Sequence, residues 1–249
     1  FAGTLQVITT GAAGDLRMGT SYSFPGFPAA LINLATNCSL YYTGTLSGGL
    51  GTTTSIGHLA GVSSSKLLGG VTGGRALTYR IGGRGGNATF AGTIAEQNTG
   101  TATSIVKTGT GTWTLSGSGS WAGGTTVEQG ILELLGVFSC ASATHVEAGA
   151  SLSLLNGKLT TDVLQLEEGA TLRGYGTIEG DLTNDGTVVS QLGGTLHVSG
   201  DVVNNGTMKI SAGTALSNSG SFVNNGVLDL LTCASSLPAN FVNNGIVID

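Results

Sequence analysis

The sequence predicts an all-β solenoid of stacked coils. Three observations predict it: a recurring glycine-led word, the even spacing of that word, and asparagine-glycine corners between its copies. The word is clearest in residues 107–134, KTGTGTWTLSGSGSWAGGTTVEQGILEL, where Gly111 leads Thr112-Trp113-Thr114-Leu115 and Gly130 leads Ile131-Leu132-Glu133-Leu134. Both read glycine, any residue, apolar, polar, apolar. The word returns at Gly3 (Leu5, Val7), Gly92 (Ile94), Gly206 (Met208, Ile210) and Gly226 (Leu228, Leu230), and in part at Gly44 (Leu46) and Gly186 (Val188). From Gly92 through Gly111, Gly130, Gly149, Gly169, Gly186, Gly206 and Gly226 to Gly245 one glycine follows another at nearly constant intervals. A repeat this regular implies one coil per period, so a chain of 249 residues predicts about 12 coils of roughly 19–20 residues each.

Within each word the second and fourth residues after the glycine share one strand face and the third takes the other. The third places hold Thr114, Glu133, Lys209 and Asp229, while Trp113, Leu115, Leu132, Leu134, Met208, Ile210, Leu228 and Leu230 fill the second and fourth. One face is therefore expected to be buried and one wet. Each period has room for two or three short strands and their turns, and none for a helix. Identical words from successive coils then pair as parallel strands about 4.8 Å apart. Every coil faces a common interior, where each inward Leu or Ile contributes roughly 1.5 to 3 kcal/mol. The corners Asn184-Asp185-Gly186, Asn204-Asn205-Gly206, Asn224-Asn225-Gly226 and Asn243-Asn244-Gly245 suit sharp turns, because Asn and Gly tolerate positive φ. Stacked at one corner, the asparagines are expected to form a ladder.

Composition agrees. Glycine makes up 44 residues, apolar residues 40% and charged residues only 9%, whereas disorder requires low hydrophobicity and high charge. The net charge of −5 is uneven: through Lys107 six Arg or Lys face two acids (+4), and the remainder holds three against twelve (−9). The small basic excess, with no basic helix or aromatic RNA platform, gives no footprint for nucleic acid. Cys38, Cys140 and Cys233 have neither zinc-ligand nor disulfide-frame spacing and are expected as small buried hydrophobes. No apolar run is long enough for a membrane-spanning helix. The chain begins and ends inside repeat words, so residues 1–249 are expected to be a single β-helix segment of a longer protein, with neighbouring domains of that protein at its ends.

Along the chain, residues 8–43 are expected as an irregular, aromatic-rich insert or cap, with Tyr22, Phe24, Phe27, Tyr41 and Tyr42 laid across the first coils. From Ser47 to Gly86 glycines multiply, and ALTYRI places Leu77, Tyr79 and Ile81 inward with Arg80 toward solvent. Residues 87–249 are expected to hold the most regular coils.

The stretch from Lys107 resembles the autotransporter-associated β-strand repeat of bacterial surface and secreted proteins. The resemblance rests on Lys107, Gly109, Gly111, Trp113, Leu115, Ser116, Gly117, Trp121, Gly123, Thr125, Val127, Gly130 and Leu132, with Trp113 replacing the usual leucine and Gly119 the usual asparagine. It implies a right-handed parallel β-helix exported through a bacterial envelope. Proteins with these repeats act as adhesins, stalks or secreted proteins whose β-helix adjoins a polysaccharide-active part.

The residues themselves favour a non-catalytic role. Glu167-Glu168 is the only adjacent acidic pair and sits at a turn that recurs with the period, as at Glu128 and Glu147. His58, His145 and His197 lack partner spacing, and neither GxSxG nor HExxH occurs. No cofactor or metal is expected. The alternative is a polysaccharide lyase or glycoside hydrolase on a β-helix, with its site in residues 15–86. Binding is favoured instead: a long β-helix side can match a repeating polymer, with Arg75, Arg80 and Arg84 available to an anionic polysaccharide or cell-surface glycan. Trp121, in a Gly/Ser turn, is expected to stack on a sugar, and Trp113 to lie in the core.

Overall fold

The computed structural model describes residues 2–9, 13–18, 26–42, 52–69, 76–97, 102–191, 193–230 and 237–248. Among the described residues there are 27 strands and no helix, and the strands pair in parallel in a solenoid-like arrangement. The chain forms two compact units, Phe1–Thr125 and Thr126–Asp249.

The first unit holds β1 (Thr4–Val7), β2 (Gly14–Met18), β3 (Gly26–Leu34), β4 (Cys38–Tyr42), β5 (Thr52–Gly61) and β6 (Lys66–Gly69). It continues with β7 (Leu77–Ile81), β8 (Ala88–Phe90), β9 (Thr93–Glu96), β10 (Thr103–Lys107), β11 (Thr112–Leu115) and β12 (Ser118–Trp121). Three parallel strand series run through it. One joins β1, β3, β5, β8 and β11, with Leu5 beside Ile32, Ile32 beside Leu59, and Phe90 beside Leu115. A second joins β2, β4, β6, β9 and β12, lining up Leu16, Leu40, Leu67 and Ile94. The third uses the leading halves of β3 and β5, then β7 and β10, and aligns Phe27, Ile56, Ile81 and Lys107.

Alternation within each strand sets the core. Leu77, Tyr79 and Ile81 are buried with Arg80 half-buried between them, and Trp113 and Leu115 are buried on either side of Thr114. The polar atoms of two buried aromatics find backbone partners: Trp113 Nε1 donates to the Leu59 carbonyl at 3.0 Å, and the Tyr79 hydroxyl to the Leu68 carbonyl at 2.8 Å.

The coil step in this unit is longer than the period expected from the sequence. Hydrogen-bonded partners on neighbouring coils stand 27 apart at Gln6 and Asn33 and 25 apart at Asn87 and Thr112. The interval from Gly92 to Gly111 is therefore not a coil. A Cβ on Gly111 would overlap the carbonyl oxygen of Gly86, and one on Gly117 that of Gly92, so the word at Gly92 stacks beneath Gly117. Gly92 and Gly111 lead words on two different strand series.

Residues 8–43, expected as an irregular insert or cap, carry β2, β3 and β4 in register with their neighbours. Among the described residues of this stretch, Ala30, Ile32, Leu34, Cys38, Leu40, Tyr41 and Tyr42 are buried. Tyr22 and Phe24 lie outside the described residues.

The second unit takes up β13 (Thr125–Val127), which starts on the last residue of the first, then β14 (Ile131–Leu134), β15 (Val137–Cys140), β16 (Thr144–Val146), β17 (Ser151–Leu166) and β18 (Thr171–Asn184). Shorter strands follow: β19 (Thr187–Ser190), β20 (Thr195–Val198), β21 (Val202–Asn204), β22 (Thr207–Ile210) and β23 (Ala215–Asn218). The last are β24 (Phe222–Asn224), β25 (Val227–Asp229), β26 (Phe241–Asn243) and β27 (Ile246–Ile248). Here the step is the expected one: 20 between Asn184 and Asn204, and 19 between Asn224 and Asn243. One row aligns Leu132, Leu152, Leu172, Val188, Met208 and Leu228, all buried. A second aligns Phe138, Leu159, Ile178 and Val198.

The third row begins apolar and turns polar: Val146, Leu166, Asn184, Asn204, Asn224 and Asn243. Asn184, Asn204 and Asn224 are fully buried. Each donates its Nδ2 to the next Oδ1, at 2.6, 2.7 and 2.7 Å, and to a carbonyl one coil on, at 3.1, 3.0 and 3.1 Å. A second, exposed ladder runs beside it from Asn244 through Asn225 and Asn205 to Asp185, at 2.9, 2.9 and 2.8 Å. The asparagine ladder expected from the sequence is thus double. Its glycines serve a different purpose from the one expected: Gly186, Gly206, Gly226 and Gly245 do not adopt left-handed φ. A Cβ on Gly206 would overlap the carbonyl of Gly186, and one on Gly226 that of Gly206, so close approach between coils demands glycine there.

Candidate functional site

The four residues expected to meet a glycan fare differently. Arg75 lies outside the described residues. Arg80 stands half-buried on the outward side of β7, in a row with Ser55 and Val106. Arg84 is exposed on the turn after β7. Trp121 is only 3% exposed, and its Nε1 donates to Thr125 Oγ1 at 3.2 Å. A ring packed inside the coil offers no face to a sugar, so Trp121 is a core residue like Trp113. The Gly/Ser setting misled because β12 begins at Ser118 and alternates, turning Trp121 inward.

The turn carrying Arg84 is built from the coil before it. Gly82 donates its N–H to the Ile56 carbonyl at 3.0 Å, Arg84 to the Gly57 carbonyl at 3.2 Å, and Gly86 to His58 Nε2 at 2.9 Å. Nε2 accepts that bond only while unprotonated. Burial lowers the His58 pKa from its ordinary value, and the Arg84 and Lys107 charges add to the effect.

Lys107 closes the corner. Its side chain is 1% exposed at the end of an otherwise apolar row, and its Nζ donates to the carbonyls of Thr108 at 2.9 Å and Gly109 at 2.7 Å. Burial brings its pKa down to about 8. Gly82 and Gly109 both take left-handed φ, 115° and 72°; a Cβ on Gly82 would overlap the Thr108 carbonyl oxygen and one on Gly109 that of Gly82. His58, Arg84 and Lys107 form a basic corner whose geometry was not legible in any single motif. The signal that would have found it is HLAG on β5 stacked against LINL on β3.

Glu96 ties several strands of the first unit together. Its Oε1 accepts the N–H groups of Thr103 at 2.8 Å and Ala122 at 2.9 Å, and its Oε2 the Thr103 hydroxyl at 2.6 Å. These bonds commit it to structure.

The acids of the second unit are spent in the same way. Asp181 Oδ1 accepts the Asp201 N–H at 2.8 Å, and Asp201 Oδ1 the Ser221 N–H at 2.7 Å, a bond that holds the Asp201 pKa below the usual carboxylate value. Glu179 lies 2.5 Å from Lys158 and accepts from Thr160 at 2.9 Å, and these hydrogen bonds lower its pKa, the Lys158 contribution first. His197 pairs with Ser217 across adjacent strands at 3.0 Å. Glu167 and Glu168 are exposed on a turn. Among the described residues no three His, Cys, Asp or Glu side chains gather as a metal site would require. Cys38 and Cys140 are free and buried, as expected of small hydrophobes, and Cys233 lies outside the described residues. Among the described residues no helix is long and apolar enough to cross a membrane.

Comparison with known families places one stretch. Residues 105–134 match the family described as passenger-associated-transport-repeat, in agreement with the resemblance drawn from Lys107 to Leu132. That match is consistent with the passenger region of an autotransporter. No curated protein matches the chain.

Proposed function

We propose that residues 1–249 are one segment of a right-handed parallel β-helix of about twelve coils, belonging to a longer protein exported to a bacterial surface or secreted. The observation that carries this reading is the passenger-type repeat at residues 105–134, borne on parallel strands that stack word upon word. The segment works without catalysis, as a structural stalk or adhesin or as a polysaccharide-binding module. Support for a structural role comes from the carboxylates, whose hydrogen-bonding capacity goes to neighbouring coils. Support for an anionic glycan comes from Arg84, exposed on the turn after β7, and from Arg80 on the outward side of β7.

Export is tested by fusing the segment to an outer-membrane translocator and treating intact cells with protease. Surface cleavage is expected; full protection with normal expression contradicts the reading. Glycan binding is tested on an array with the Arg75/Arg80/Arg84 triple alanine variant. Hits weakened by the substitution are expected, and an absence of hits leaves the stalk role alone.

A further inference from the structure

The polar side chains of the first unit are mostly spoken for, and one small group is not. Where β3 passes into β4, and the following coil passes from β5 into β6, Asn37, Ser39, Ser64 and Lys66 line a cavity of about 330 Å³. A second cavity of about 360 Å³, lined by Ile8, Thr9 and Ala35, shares Asn37 with the first. Each lies within the ~300–1,000 Å³ range usual for small-ligand sites.

The chemistry of the first cavity is specific. Asn37 is one of only two described non-glycine residues in left-handed φ, at 56°. Its N–H donates to Ser64 Oγ at 3.1 Å and its carbonyl accepts from Gly14, so the coils on both sides hold its backbone. Among the described residues its side-chain amide has no hydrogen-bond partner, nor has the Ser39 hydroxyl, and Ser64 keeps its donor. Lys66 is exposed and pairs with no acid among the described residues. Asp15, in register with Ser39, already meets Arg17 at 3.6 Å and the Tyr41 hydroxyl at 3.3 Å. A cation, two hydroxyls and an amide thus converge with their capacity unused. In the adjoining cavity Ile8 stands 67% exposed.

We infer that this double groove binds an acidic disaccharide unit. The carboxylate of a uronic-acid residue meets Lys66, its ring hydroxyls meet Asn37, Ser39 and Ser64, and the C–H face of the next sugar lies over Ile8. Lys66 is a point charge on a flexible stem and selects for an anion. The hydroxyls and amide exchange donors and acceptors with a sugar ring. This inference rests on the polysaccharide-binding reading and adds a contact in the groove to the one at the arginines.

The experiment titrates isotope-labelled protein with tetragalacturonate and with neutral maltotetraose, following backbone and Asn amide resonances. Tetragalacturonate is expected to shift Asn37, Ser39 and Lys66, and maltotetraose to bind at least several-fold more weakly. Lys66→Ala is expected to weaken binding by roughly tenfold or more. Asn37→Gly keeps the left-handed backbone and deletes only the amide; it is expected to weaken binding while the melting temperature holds. The Arg75/Arg80/Arg84 triple alanine variant, which is expected to weaken binding of longer glycans at the arginines, is expected to keep the tetragalacturonate shifts at Asn37, Ser39 and Lys66. If the triple variant loses affinity and Lys66→Ala does not, the groove is overturned and the glycan reading stands. Equal binding of the two sugars, or no shift at Asn37 and Lys66, also overturns the groove.

Discussion

The two units solve one stacking problem with different amounts of chain. In the second, a short turn joins β15 to β16 and β23 to β24, and the step is 20 or 19 along the asparagine ladder, with extremes of 16 (Thr171 to Thr187) and 21 (Phe138 to Leu159) elsewhere. In the first, the corresponding connections between β4 and β5, β6 and β7, and β9 and β10 are longer, and the step between paired strands runs from 24 (Gly14 to Cys38) to 29 (Gly61 to Phe90). The core rows stay aligned in both, and the register shifts fall between them, at Leu155/Gly157 and Thr160/Val163 in β17 and at Phe27/Leu31 in β3. A word needs only the word above and below it, so chain added between words is tolerated where the same insertion inside a strand would turn every side chain to the wrong face. The interiors differ as well. The first unit buries the bases His58 and Lys107, whose charged forms are penalised, whereas the second buries neutral amides and leaves Glu179 and Asp201 outside with their charged forms favoured.

The largest effect is expected at the close coil-to-coil approaches. Gly206→Val drives side-chain atoms into the Gly186 carbonyl and is expected to cost about 3 kcal/mol or more. Gly213 has left-handed φ but no atom within 4 Å of an added Cβ, so Gly213→Ala is expected to cost only ~1 kcal/mol. Denaturant melts of both variants check this, and equal losses would refute the close-approach explanation.

Next comes the buried lysine. The Lys107 pKa is lowered to about 8, so between that value and its ordinary 10.5 the unfolded chain binds the extra proton, and stability rises with pH across that window. The rise amounts to about 3 kcal/mol. Lys107→Met is expected to abolish it, as read from melting midpoints on either side of the window. A variant with the same rise would show that another group carries it.

The two ladders should separate by burial. Asn204→Ala removes the acceptor of Asn184 Nδ2 and the donor to Asn224 Oδ1 in the core and is expected to cost about 2 kcal/mol, whereas Asn225→Ala on the exposed ladder is expected to cost about 0.5 kcal/mol. Matching midpoints for the two variants would contradict the assignment of an inner and an outer ladder.

The smallest effect distinguishes the units by acid. His58 has a folded pKa below its unfolded 6.5, so its contribution is present above that value and is lost as the pH falls through the window below it. Glu179, lowered from 4.5, keeps its contribution until the pH falls below that value. Protection of the Gly86 amide, its exchange rate taken relative to the intrinsic rate at each pH, is expected to fall on acidification before protection of the amides around Thr160 does. The reverse order would mean that the Gly86–His58 bond does not hold its turn.

Much of this was legible. Alternation around Gly111, Gly130, Gly206 and Gly226 located buried Trp113, Leu132, Met208 and Leu228, because a strand's alternation is written directly in the chain. The Asn-Asn-Gly words announced the ladder. What sequence reading missed depends on pairs distant in the chain. Gly92 and Gly111 carry the same word on different strand series, so equal spacing was mistaken for equal position. Phe27, Ile56 and Ile81 align with Lys107 only once the longer step of the first unit is known. Trp121 lay in a glycine- and serine-rich string whose alternation begins at Ser118, and composition there outweighed phase. The groove of Asn37, Ser39 and Lys66 draws its residues from two coils and has no contiguous motif at all.

The central claim is that stacked words keep register while the step changes along the chain. Interstrand amide–Hα contacts in an NMR spectrum of the labelled protein test it most directly. The expected result connects Thr114 with Thr89 across the long step of the first unit, and Lys209 with Val189 across the short step of the second. Contacts from Thr114 to Ala95, where the short step would end if it held throughout, would contradict it.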